Sequence, residues 1–326
     1  MLRIMGGAAA LALLSPVSAA MAQAPQSFPS QSIKMIVPFA AGAVNDFLGR
    51  LAAEHLKNRT GQTVVVENRT GAGGNIGLAQ LAQSPADGYT IGMVGVTSFA
   101  VNPLIYKSMP FDPMKDLVPV APLADTPLVV TTYAKALPMA TFQEFVAYAK
   151  ANPGKLNYGS SGTGTPAHIL ADHVLRNAGL QIAHVSYRGA APAMTDLLAG
   201  SVQLMIASPG PATEHVAAGT LKFLAVVSSK RLPSLPAVPT MGEAGQTPVS
   251  LVGWWGVAAP SATPKPIVDR LNALLNEMAD DPAIRSRLEK VYMLPLKMSA
   301  DEALIQLKAD LPVWAKIVKD ADIKPE

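Results

Sequence analysis

Two serines, two threonines, three glycines and a histidine fall within eleven residues, YGSSGTGTPAH from Tyr158 to His168, between a strand-like run and a helix-like run. Such a group could activate a serine, cradle a phosphate or present donors to an anion. A phosphate loop of the form G-x-x-x-x-G-K-[ST] needs a lysine after its second glycine, and none follows Gly164. A nucleophile elbow, G-x-S-x-G, needs a glycine where this segment has Thr163. The remaining hydrolase reading pairs Ser160 or Ser161 with His168 as base; against it, His168 sits one turn into the helix and can equally be a hydrogen-bonded structural residue. The second glycine cluster, GAGGNIG, has glycines at 71, 73 and 77 and misses the dinucleotide spacing. No HExxH occurs, and His168 and His173 lie about 140° apart around a helix, so no metal site is expected. Asp280 and Asp281, beside Pro282, read as solvated helix caps. No catalytic constellation survives, and no cofactor is implied.

What remains is a geometry shared by PFAAGAVND, NRTGAGGNIG and YGSSGTGTPAH. Each leaves a strand, exposes backbone amides through small residues and opens a helix. Helix starts carry unpaired N–H groups and about half a positive charge, so they attract anions, and the Ser and Thr hydroxyls add short donors. A hydrogen bond to a charged group contributes about 1.5 to 3 kcal/mol. A handful therefore approaches the roughly 8 kcal/mol of a micromolar complex, with no arginine required. The alternative is that such loops merely connect strand to helix.

The elements that must position these segments alternate. IKMIVPFA is strand-like; Phe47, Leu48, Leu51 and Leu56 recur at helical spacing from Asn45 to Asn58, and Gly61 closes that helix. TVVVEN, a small-residue helix through Leu81 and Ala82, and YTIGMVGV complete a β-α-β-α-β series. Strands apolar on both faces predict a parallel sheet covered by helices. A Pro-rich connection leads to PLVVTTY. A second series follows: helix Phe142 to Ala151, strand KLNYGS, helix Pro166 to Ala178, strand IAHVSYR, helix Pro192 to Ala199, strand VQLMIAS, a short helix and strand KFLAVVS. After the turn-dense RLPSLPAVPTMGEAGQTP comes a strand, VSLVGWWGVAAP, and two amphipathic helices close the chain, the last opening on a Ser299–Glu302 capping box. This order predicts two α/β lobes, with crossings near Asp125 to Thr131 and Val249 to Val257, and C-terminal helices that return to the first lobe. A cleft between hinged lobes is a favoured place for a small ligand.

A chain of 326 residues, 49% hydrophobic and 15% charged, has ample material for a core. Residues 1–24, MLRIMGGAAALALLSPVSAAMAQA, carry Arg3, a short apolar stretch and a small-residue site ending Ala20-Met21-Ala22, the pattern of a signal peptide cleaved near Ala22 to Ala24. No twin-arginine pair is present, so the general secretory route is expected. Removing Arg3 takes the formal charge from +3 to +2, which gives no basic stripe for nucleic acid. Without cysteine there are neither disulfides nor thiolate metal sites. An exported, cysteine-free chain fits a bacterial periplasm.

IVPFAAGAVNDFLGR, VVVENRTGAGGNIG, ADGYTI, NPLIY, LNYGSSGTGTPAHI, HVSYRGAAPAMTDLLAGSVQLM, PAVPTMGEAG and WWGVAAPSATPKPIVDRLN follow in order over nearly the whole mature chain. Together they resemble the motifs of the Bug (Bordetella uptake gene) receptors, the substrate-binding proteins of tripartite tricarboxylate transporters. The resemblance implies an α/β Venus flytrap of the periplasmic binding protein type II kind, two lobes joined by a two-crossing hinge. Lobe 1 would comprise 25–126 and 251–326, and lobe 2 residues 127–250. It further implies a periplasmic receptor for a small carboxylate, whether a di- or tricarboxylate, an amino acid or an aromatic acid. Such a receptor delivers its ligand to membrane transporter subunits by cleft closure, without chemistry; a monomer fits that task.

Carried over by residue, the first-lobe contacts would be Phe39, Ala40, Ala41 and Gly42, with Asp46 steadying that loop, and Thr97 and Ser98 facing the same cleft. The second lobe would offer Ser160, Ser161, Gly162, Thr163, Gly164 and Thr165, braced by His168, with Tyr187, Arg188 and Ser208 as the other wall. Trp254 and Trp255 are expected to pack at the hinge. Three positions depart from the family pattern: Ala43 replaces a second glycine, Thr70 a proline, and Arg188 a lysine. If Arg188 reaches the cleft, its planar fork would pair with a second carboxylate or polar group on the ligand. A periplasmic sensor subunit docking to a membrane signalling protein would show the same sequence signature, and an exported serine hydrolase is the third class.

Overall fold

The computed structural model describes residues 28–135, 137–248 and 253–321. The expected signal peptide lies outside them, as does the start of the return crossing at Val249.

Eleven strands are described: β1 Ile33–Val37, β2 Val64–Asn68, β3 Thr90–Gly95, β4 Leu117–Asp125, β5 Leu128–Tyr133, β6 Asn157–Ser160, β7 Ala183–Ser186, β8 Leu204–Ala207, β9 Leu221–Val227, β10 Trp254–Pro260 and β11 Leu294–Pro295. They form two sheets, one in the order β11-β4-β10-β3-β1-β2 and one in the order β7-β6-β8-β5-β9. Each sheet is the heart of one α/β lobe, so the two-lobed architecture stands.

Both sheets are mixed, which corrects the all-parallel expectation. The helix-connected pairs β1/β2, β1/β3, β6/β7 and β6/β8 are parallel, as crossover connections require. Strands at the crossings are antiparallel because one carries the chain out of a lobe and its neighbour carries it back. β4 leaves beside β10, which returns, and β5 enters the second sheet beside β9, which leaves it.

β4 corrects a second expectation, since its segment reads as a Pro-rich connection. It bears Pro119 and Pro122, and the pairing with β10 slips by a residue at Trp255/Gly256 and again at Val257/Ala258, opposite those prolines. A proline gives no N–H to a ladder, and bulges accommodate it.

The helices follow their sequence cues closely. Val44–Thr60 ends on Gly61 at φ 72°, and Phe142–Ala151 starts at Thr141, whose side chain accepts the Glu144 N–H. Three helices rather than two close the chain: Lys265–Asn276, Pro282–Glu289 and Ala300–Asp320. The middle one is capped by Asp281, which accepts the N–H groups of Ala283 and Ile284. The last opens on the Ser299–Glu302 capping box and packs on both β4 of the first sheet and the Pro166–Asn177 helix of the second lobe. It therefore does more than return to the first lobe; its Trp314 is fully buried in a core cluster that also holds Phe99, Trp254 and Leu170.

Candidate functional site

Two adjoining cavities of about 250 and 270 Å³ lie where the lobes meet, and both are bordered by Val44, Thr97, Ser161, Pro166 and Trp255. They are chambers of one cleft. A larger groove of about 610 Å³ lies on lobe 1 alone, and its charges pair with one another: Arg59 with Glu277, and Arg287 with Glu54 at 2.9 Å. The cleft is the better site because residues of both lobes converge on it.

Three helices of 17, 12 and 10 residues begin at its walls. Val44 opens Val44–Thr60, Pro166 and Ala167 open Pro166–Asn177, and Ala190 opens Ala190–Ala199; all four residues border the first chamber. First-turn N–H groups find no acceptor within their own helix, so three positive helix ends from two lobes face one small volume.

Of the residues expected from sequence, Thr97 and Ser161 border both chambers, Ser208 the first, and Phe39, Thr163, Gly164 and Thr165 the second. Ala40, Ala41, Gly42, Gly162, Tyr187 and Arg188 border neither. Ser98, expected to face the cleft, is 2% exposed, and its Oγ accepts the Gly95 N–H at 3.4 Å. Successive helical residues point about 100° apart, so Thr97 on the cleft puts Ser98 inside. Tyr187 turns away to donate to Asp196 Oδ2 at 2.6 Å; burial, and then that carboxylate, push it up to about 12. Arg188 stays exposed, so the fork that sequence offered for a second carboxylate is not among the cleft walls.

The buried Asp46 sits behind the first loop as a hub. Its Oδ2 accepts the Gly42 N–H and Arg50 Nε, both at 2.9 Å, and its Oδ1 accepts Asn68 Nδ2 at 2.9 Å. Asn68 Nδ2 also donates to Phe39 O at 2.9 Å. Burial pushes the Asp46 carboxyl up, but these donors together outweigh it and leave it below the ordinary carboxylate value.

The second-lobe loop rests on a stack of rings. Tyr158 and His184 are 4.9 Å apart, and His184 and His168 3.9 Å. Gly164 N–H donates to His168 Nδ1 at 3.1 Å, which places that ring's proton on Nε2. Ser160 Oγ lies 2.7 Å from His184 Nε2, accepts the Gly162 N–H and contacts Gly162 O. Thr163 N–H donates to Ser186 Oγ at 3.0 Å. Burial, and then the neighbouring His168, push His184 down to about 4, and burial also lowers His168. The pair is therefore neutral at pH 7.

This arrangement bears on the hydrolase reading. The histidine that meets Ser160 is His184, not His168, and Ser160 is 1% exposed, beneath the loop. Ser161, which does border the cleft, donates to Thr165 Oγ1 at 3.4 Å.

Sequence reasoning missed the supports Asn68, Arg50, His184 and Ser186, which sit on neighbouring strands and helices and announce themselves only through pairing such as Tyr158 with His184. It placed Trp254 and Trp255 at the hinge, where the return strand carries them, but did not single out Trp314. All three tryptophans of the chain border the first chamber, and Trp255 meets Phe39 edge-on at 5.6 Å.

A family model described as tripartite tricarboxylate transporter family receptor matches residues 48–323. The chain belongs to this family. BugT of Bordetella pertussis is 34% identical over 313 residues, 96% of this chain and 94% of BugT. Rpa4515 of R. palustris, solved with adipate, aligns with a TM-score of 0.80 at 33% identity over 92% of this chain and all of that one. MatC from Rhodopseudomonas palustris, solved with bound malate, aligns at 0.75 and 27% identity over 89% of this chain and all of that one. The Venus flytrap expected from sequence is thus borne out. In this receptor the matched segment begins just after the Phe39–Asp46 loop, so that loop's role rests on its own geometry.

Proposed function

We propose that this receptor holds a small carboxylate between its lobes and passes it unchanged to the membrane subunits of a tripartite tricarboxylate transporter. The observation that carries this is the convergence of three helix N-termini and the Thr97 and Ser161 side chains on one cleft of about 250 Å³. Relatives of the same fold hold adipate and malate, which are anions of this size. Residues 25–126 with 251–326 form one jaw and 127–250 the other, closing on the ligand as a monomer. Phe39, Thr97, Ser161, Thr163 to Thr165 and Ser208 touch ligand; Asp46 and His168 hold the loops that do. The Ser160–His184 pair is structural, since no acyl group reaches a serine beneath the loop. The leader read from residues 1–24 sends the mature chain to the periplasm, where such transporters collect their solutes.

A thermal-shift panel on ligand-free mature protein, with mono-, di- and tricarboxylates and their amides, tests the reading. Ligand at 100 times its dissociation constant adds about 2.7 kcal/mol, so at least one group of acids raises the melting temperature while its amides do not. Equal shifts with acids and amides, or none with either, contradict it.

A further inference from the structure

The walls of the cleft carry an asymmetry of charge. Among the described residues that border the two chambers, Asp125 alone has a charged side chain; no arginine, lysine or histidine borders either one. Asp125 is the last residue of β4 and pairs with Trp254 on β10. It therefore stands at the crossing, with Thr126 and Gly253 beside it on the cleft wall. The backbone amides of Thr126 and Gly253 favour its charged form, and a carboxylate has about four lone-pair sites to offer a donor. Among the described residues no cation pairs with it. Thr126 Oγ1 is also buried without a partner.

We propose that Asp125 sets the receptor's specificity: it accepts a hydrogen bond from a hydroxyl or ammonium group at the end of the ligand remote from the gripped carboxylate, and it repels a second carboxylate there. This rests on the carboxylate reading above and narrows it to a monocarboxylate with an apolar middle and a donor at its far end. Three features agree with that choice. Burial pushes the Asp125 carboxyl up to about 6, against the pull of its two backbone donors, so it is still ionised at pH 7 and lacks a compensating partner. Leu128, Leu170, Met205 and Val227 supply apolar walls to the same chamber, which suit methylene or ring carbons. A second carboxylate would enter a partly buried space that holds one negative side chain and no positive one, where like charges are costly.

The test is calorimetric titration of wild type and Asp125→Asn with hexanoate, 6-hydroxyhexanoate, 6-aminohexanoate, adipate and hexanamide. Wild type is expected to bind the hydroxy acid or the amino acid about tenfold or more tighter than hexanoate, and adipate weaker than hexanoate. In Asp125→Asn the penalty on adipate falls by about tenfold. The wild-type ranking stands as a test even if the variant does not fold. If adipate binds wild type as tightly as 6-hydroxyhexanoate and 6-aminohexanoate while hexanamide fails, the Asp125 assignment is overturned and the carboxylate reading survives. If no probe binds, the Asp125 assignment is overturned and the carboxylate reading is decided by the thermal-shift panel; if hexanamide matches hexanoate, the carboxylate reading falls and takes this assignment with it.

Discussion

His168 gives its Nδ1 to the Gly164 N–H, and that single bond links an aromatic stack to the loop at the cleft wall. Replacing His168 by Phe keeps a ring to stack on His184 but leaves the amide without its acceptor, at a cost of about 1 to 3 kcal/mol. Ligand affinity is expected to fall about tenfold or more by calorimetry, with the far-ultraviolet spectrum unchanged; unaltered affinity would show that the loop is held elsewhere. The same residues set a pH limit. His184 drops from 6.5 to about 4 on folding, so the unfolded chain binds the extra proton first. Its contribution to stability is therefore whole above about 6.5 and is lost as pH falls through the interval down to about 4. Denaturant midpoints measured across that interval should decline in wild type and decline less in His184→Gln. Chemistry-bearing residues such as Ser161, Thr163 and His168 were legible in the sequence because they cluster within one segment. Asp125, Asn68 and His184 were not, because each acts on a loop or chamber assembled from distant strands.

At the scale of elements, periodicity identified the longer helices and the strands joined by them, since a helix stripe or an apolar run is a local signal, but not the short helices Val96–Ala100, Asn102–Ile105 and Pro113–Asp116, which are too brief to show a stripe. Strand direction is not local. β4 and β10 are antiparallel because the chain passes out and back between lobes, and the prolines that mask β4 are tolerated at slips in its pairing. The loop that opens Pro166–Asn177 comes close to the end of the Asn102–Ile105 helix of the other lobe: a Cβ on Gly164, at φ 75°, would lie 2.8 Å from Ile105 Cδ1. Gly164→Val therefore combines backbone strain with an obstacle between the jaws. Calorimetry should show a loss of tenfold or more for every ligand, partly recovered in the double variant with Ile105→Ala. Full affinity in the single variant would mean that the Gly164 loop and Ile105 do not stay in close approach on binding.

For the molecule as a whole, closure requires that the two lobes rotate about the crossings at Asp125–Leu128 and at the return strand β10. The last helix packs on elements of both lobes and carries Trp314 to the cleft, so it must ride with the hinge. Trp254 and Trp255 stand on the return strand itself. Every tryptophan of the chain is thus placed to sense the same event. The most direct measurement is a titration of intrinsic tryptophan fluorescence with hexanoate, 6-hydroxyhexanoate and adipate, each against its amide. A saturable change with at least one acid, and none with its amide at a hundredfold higher concentration, is the predicted result. Saturable binding by calorimetry with no change in fluorescence, or equal responses to acid and amide, would contradict a carboxylate held in the cleft between the lobes.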